Sequence, residues 1–151
     1  MRNKMTKKQQ IIFLKGKTEG LKTLFNTDNF GYLAVGYYEA EDNGFENPTS
    51  SQSQEDSGFY EISKNEDGTY MRVPLQFVKE SEDYDTGRTV CTFTATLSTS
   101  NIINNIPINQ FALCNSINPD DLNTTFYCAS TFPTFTKNDN LEISFTIDLG
   151  I

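Results

Sequence analysis

A two-residue period is what most constrains this chain. In LEISFTIDL, residues 141–149, Leu141, Ile143, Phe145, Ile147 and Leu149 alternate with Glu142, Ser144, Thr146 and Asp148. Successive side chains of an extended strand point to opposite faces, so such a segment buries one row and wets the other. On a helix the same apolar residues would be scattered around the circumference and could bury no single stripe. RTVCTFTATLS repeats the pattern. Cys91, Phe93, Ala95 and Leu97 form the better core row, and Val90, Thr92, Thr94 and Thr96 take the other face.

Further segments fit short strands: QQIIFLKG, GYLAVGYY, GFYEIS, TYMRVPLQFV, IPINQFALC and TTFYCAST. Turn-rich stretches such as KNEDG, KESEDYDTG and NSINPDDLN separate them. TEGLKTLFNTDNFG has room for one helical turn and no long amphipathic helix. Residues 39–58 are acidic, then Ser/Gln-rich, and read as a long surface loop. Seven to eight short strands with almost no helix predict an all-β protein, an antiparallel β-sandwich of jelly-roll or Ig-like type. At 151 residues the chain has the length of one domain, taken as residues 11–151 behind a flexible basic N-terminal arm, residues 1–10.

Composition narrows the chemistry. There is no histidine, which removes imidazole bases, Ser-His and Cys-His dyads and nearly every zinc site. An enzyme would have to work with carboxylates, lysine or tyrosine alone, so the expectation is no enzyme, no cofactor and no metal. Cys91, Cys114 and Cys128 form an odd set without a CxxC pair, read as buried thiols of a reducing compartment. DYDTGR, residues 83–88, has the opening spacing of a calcium loop but lacks its later ligands and adds Arg88, so it reads as a solvated turn. No apolar run approaches the ~20 residues of a membrane-crossing helix.

Charge is unevenly spread. Met1–Lys22 carries seven basic residues and one acid, while the remainder carries five basic and nineteen acidic residues. A basic arm on so acidic a body is expected to lie on a protein neighbour, and nucleic acid is disfavoured as a partner because the body repels it. The candidate interface is Arg2, Lys4, Lys7 and Lys8 for the arm, with Ile11, Ile12 and Phe13 as its apolar anchor.

In YMRVPLQF, alternation places Tyr70, Arg72, Pro74 and Gln76 on one face and Met71, Val73, Leu75 and Phe77 on the core face. Arg72 then reads as an exposed cross-strand partner of a carboxylate, Glu61, with its stem along Tyr70. Pro74 lacks a donor and marks an edge or a bulge. The segment order from GYLAVG through GFYEIS, GTYMRVPLQF and IPINQFALCN to LEISFTIDL resembles small β-sandwich virion proteins of tailed bacteriophages, over residues 31–151. Glu61, Tyr70, Arg72 and Pro74 match that group's pattern and are structural there. The resemblance implies a non-enzymatic structural component of a phage particle, in the tail, neck, baseplate or capsid, assembled in the host cytoplasm into the virion. Its partners would be other virion proteins and copies of itself, with no small-molecule substrate and no membrane. The alternative reading is a carbohydrate-binding module or receptor-binding adhesin, with Tyr37, Tyr38, Phe59, Tyr60 and Tyr84 as a stacking surface beside the acidic loop.

Overall fold

The computed structural model describes residues 12–39, 58–101 and 107–151. Helix α1 (Leu14–Leu24) precedes eight strands: β1 (Tyr32–Gly36), β2 (Glu61–Ile62), β3 (Val73–Pro74), β4 (Gln76–Asp83), β5 (Arg88–Leu97), β6 (Pro107–Cys114), β7 (Phe126–Thr136) and β8 (Ile143–Gly150). They form two antiparallel sheets, the all-β sandwich expected from the alternation. Sheet 1 runs β2-β1-β6-β7, with β3 also on β1, and sheet 2 runs β4-β5-β8.

β2 and β3 share one edge of β1. Ile62 and Glu61 pair with Val35 and Gly36, while Val73 and Pro74 pair with Leu33 and Tyr32. The intervening residues leave the edge as a hairpin, bridged between Lys64 and Tyr70 and turned at Gly68, whose φ of 85° suits glycine. The chain then crosses into sheet 2, where β4 pairs with β5 and β5 with β8.

Leu33 and Val35 of β1 and Ile108 and Leu113 of β6 meet Cys91, Phe93, Ala95 and Leu97 of β5 and Ile147 of β8 in one core. The inward row of β5 is the row its alternation selects. Sheet 1 alone does not cover it. At the Thr89 end the cover is α1: the Thr18 hydroxyl lies 2.6 Å from that of Thr89, and the Cys91 thiol donates to the Thr18 carbonyl at 3.8 Å. Phe25, just past the helix, packs edge-on against Phe93 at 5.9 Å and against Tyr127 of β7 at 5.1 Å, closing that end of the sandwich.

The helix corrects two expectations. QQIIFLKG was expected as a strand, yet Leu14 begins an α-helix and Ile12 and Phe13 belong to no strand. The single expected turn is an eleven-residue helix. Leu14, Thr18, Leu21 and Phe25 recur at helical spacing, and the last three are buried. That stripe matches the uncovered end of sheet 2, and burying it outweighs the β-branched and aromatic character of the preceding residues. Smaller corrections concern Phe77, which sits at the rim against Phe93 instead of in the core, and Leu141, which lies exposed ahead of β8.

Phe25→Ala removes the ring that joins helix, sheet 2 and β7. Urea unfolding should lose about 3–5 kcal/mol; a loss below about 1 kcal/mol would mean the ring is not part of the core.

Candidate functional site

The outer face of sheet 1 is built from small residues. Ala34 and Ala112 are fully buried there, and a side chain at Gly36 would run into the Tyr60 carbonyl and the Gln110 amide. This flat floor admits a second layer, in which Phe59 and Phe126 pack on the two alanines. Arg72 lies in that layer with its guanidinium 5.3 Å from the Phe126 ring centre. Its Nε and Nη2 donate to the two Glu61 carboxylate oxygens at 2.7 and 2.8 Å, a two-pronged pairing. Nη1 donates to the Ser116 and Asn118 carbonyls at 3.0 and 3.2 Å and to the Thr124 hydroxyl at 3.2 Å. One side chain thus holds the β2–β3 edge and the loop between β6 and β7.

The structure brings Arg72 and Glu61 together but corrects the exposed ladder: Arg72 is 4% exposed. Tyr70 and Pro74 are exposed, and neither is among Arg72's hydrogen-bond partners. Alternation along Arg72–Pro74, the run into β3, fixes only the side of the sheet to which Arg72 points. The loop that covers that side lies more than forty residues further along the chain.

The clamp is built to hold structure. Breaking a desolvated pair leaves the remaining charge buried without compensation. Arg72→Met should therefore lose about 3–5 kcal/mol in urea unfolding, and Arg72→Lys should recover little because one ammonium cannot grip both the carboxylate and the loop carbonyls. Near-normal stability of Arg72→Lys would contradict this account.

The expected interface divides at the start of the helix. Arg2, Lys4, Lys7, Lys8 and Ile11 lie outside the described residues. Ile12 and Phe13 are 68% and 75% exposed. Of the basic residues that follow, Lys15 and Lys22 dock on this chain's own acidic strand β4. Lys15 Nζ lies 2.9 Å from Glu80, 3.3 Å from Glu19 and 3.8 Å from Glu82. Lys22 Nζ lies 3.4 Å from Glu80 and sits over the Phe77 ring at 4.6 Å. Lys17 donates to the Gly87 carbonyl at 3.0 Å. Within the same contact the Thr18 hydroxyl donates to Glu82 at 3.0 Å.

Hydrogen bonding to Lys15 holds the Glu80 carboxyl below its usual 4.5, and hydrogen bonding to Glu80 and Glu19 holds Lys15 above its usual 10.5. A lowered acid stabilises the folded state above its unfolded pKa and loses that contribution as pH falls through the folded value. A raised lysine contributes fully below 10.5 and loses it as pH rises through the folded value. Helix docking should accordingly be flat across neutral pH and loosen in acid below pH 4.5. Amide exchange in α1 should accelerate there before exchange in β5, and Glu80→Gln should speed α1 exchange at neutral pH and reduce its dependence on acid. Simultaneous opening of α1 and β5 in the parent chain would contradict it.

The aromatic residues of the alternative reading separate. Tyr38 and Tyr60 stack at 5.1 Å with planes 13° apart, Phe59 is buried on the alanine floor, and Tyr84 stands apart with its hydroxyl donating to Glu82 at 2.9 Å. Asn109 and Gln110, which sequence reasoning did not single out, hold both ends of the 39–58 segment. Asn109 accepts from Tyr38 N–H at 3.0 Å and donates to its carbonyl at 2.8 Å. Gln110 accepts from Tyr60 N–H at 3.0 Å and donates to the Gly58 carbonyl at 2.7 Å. Two amides in the middle of an apolar strand, INQF, were the available signal.

In DYDTGR, the Asp83 carboxylate caps the β4–β5 turn by accepting from the Asp85 and Thr86 amides at 2.9 and 3.3 Å, and these bonds lower its pKa. Among the described residues no group of three or more acidic or cysteine side chains is placed to hold a metal, and no helix is long and apolar enough to cross a membrane. All three cysteines are free thiols, and burial raises each pKa, which leaves them weak nucleophiles. Comparison with known protein families, with curated proteins and with solved structures gave no match.

Proposed function

We propose that this chain is a non-enzymatic structural component of a bacteriophage particle that works through protein–protein contacts, with the N-terminal arm as one contact. The observation that carries the assembly reading is the root of the arm. Ile12 and Phe13 stand in solvent at the start of a helix that is itself pinned to the body by Lys15, Lys17 and Lys22. An apolar pair held on a rigid base, preceded by Arg2, Lys4, Lys7 and Lys8, suits capture by an acidic, apolar groove on a neighbour. Lys15 and Lys22 are ion-paired within the chain, so in this reading the steering of a partner falls to the four cations of the arm. Placement in a phage particle rests on the sequence resemblance alone.

Removing Met1–Lys8 should weaken association and flatten its dependence on salt, read by light scattering at two ionic strengths. Phe13→Ser should weaken it without changing the salt dependence. Unchanged association in both variants would remove the arm from the mechanism. The carbohydrate-binding alternative has one observation in its favour: Tyr60 is 50% exposed and stiffened by stacking on Tyr38 beside the long acidic segment. Glycan binding by the full chain that disappears in Tyr60→Ala would establish that reading in place of the first.

A further inference from the structure

From the edge of sheet 2 that no described strand pairs, we infer that β8 pairs antiparallel with β8 of a second copy, about a twofold axis at Thr146. The inference rests on the assembly reading but uses a surface separate from the arm.

The phase of the hydrogen bonds fixes which groups face outward. Thr89 and Ile151 exchange both main-chain bonds, each at 3.1 Å. Such exchanging pairs recur at every second residue of an antiparallel ladder, so Leu149, Ile147, Phe145 and Ile143 bond inward to β5. Ser144, Thr146 and Asp148 therefore direct their main-chain N–H and C=O groups away from β5. Among the described residues no strand takes them.

The other edges are blunted in recognisable ways. β2 and β3 are two residues each and lie on either side of the hairpin. β4 is bulged at Val78 and carries Lys79 beside it. β7 contains Pro133 and slips register against β6. β8 has none of these devices: eight residues in unbroken register with β5, without proline, lysine or arginine. Proteins rarely leave so regular an edge open. Its inward row agrees, because Ile143, Phe145 and Leu149 are only half-buried while their β5 neighbours Leu97, Ala95 and Cys91 are fully buried. A strand added at this edge would cover them.

The sequence of β8 favours itself as that strand. With Thr146 opposite its twin, Ser144 faces the twin's Asp148 and Glu142 faces the twin's Gly150, so no acid meets an acid. An axis at Asp148 would set two carboxylates against each other, and one at Ser144 would leave half the strand unpaired. In the favoured register Phe145 meets Ile147 and Ile143 meets Leu149, continuing the apolar row across the axis.

Two substitutions of the same kind should act in opposite directions. Thr146→Lys sets like charges together on the axis and should raise the dimer dissociation constant about tenfold or more. Ser144→Lys sets a cation against Asp148 of the other copy twice and should lower it about threefold. Both sites are exposed, and circular dichroism with thermal melting confirms the fold of each variant. Sedimentation equilibrium of the full chain should show a dimer at about 100 μM with these opposite shifts, and the dimer should survive removal of Met1–Lys8. A monomer at that concentration, or shifts of the same sign, would overturn the pairing. Loss of association only on arm removal would overturn it while leaving the arm's role intact, and loss only in Thr146→Lys would do the reverse.

Discussion

The inward row of β5 sets the problem that the rest of the molecule solves. Thr89, Cys91, Phe93, Ala95 and Leu97 run the length of one ten-residue strand, and every one is buried. Sheet 1 covers the Leu97 end, which leaves the Thr89 end to be closed by something else. The chain supplies α1, whose buried stripe ends in Phe25, wedged between Phe93 and Tyr127. Apolar burial is the larger contribution and is not directional; the lysines on Glu80 and Glu82 then select how the helix lies. The same docking fixes where the chain emerges, so Ile12 and Phe13 leave the body from a rigid point.

A second layer on the outer face of sheet 1 depends on a different interaction. The alanine and glycine floor would be a shallow apolar surface if left bare. Phe59, Phe126 and the loop before β7 cover it, and Arg72 ties them to Glu61. A buried ion pair of this kind is weak evidence for stability gained over an apolar alternative. Its specific contribution is geometric, since a planar donor set accepts few arrangements of carboxylate and carbonyls.

Much of this was legible in the sequence, for a definite reason. A two-residue period states both the strand and its buried face, so β5 and β8 followed from TVCTFTATL and ISFTIDL. The Glu61–Arg72 pair followed because the two segments are consecutive in the chain, and β2 and β3 border the same strand, β1. The helix did not follow, because IIF before it carries strand preference and Gly16 and Gly20 weaken the helical signal. Its evidence was the spacing of Leu14, Thr18, Leu21 and Phe25, which gains meaning only once a bare patch on sheet 2 is known. The burial of Arg72 was hidden for a related reason. What covers it is remote in sequence, and periodicity carries no information about long-range cover. Asn109 and Gln110 were missed because polar residues within a strand read as solvent-facing until the loop ends that they hold are placed.

A sandwich stabilised in these ways presents an apolar arm root at one end and a regular strand edge on sheet 2, which we propose as its two contact surfaces. We propose that such contacts, and not chemistry on a small molecule, are what the chain contributes. Hydrogen–deuterium exchange measured at dilute and at high protein concentration tests this most directly. The account predicts that concentration slows exchange around Ile12–Phe13 and along β8 while leaving the β5 amides unchanged. Exchange that is identical at both concentrations throughout the chain would contradict it.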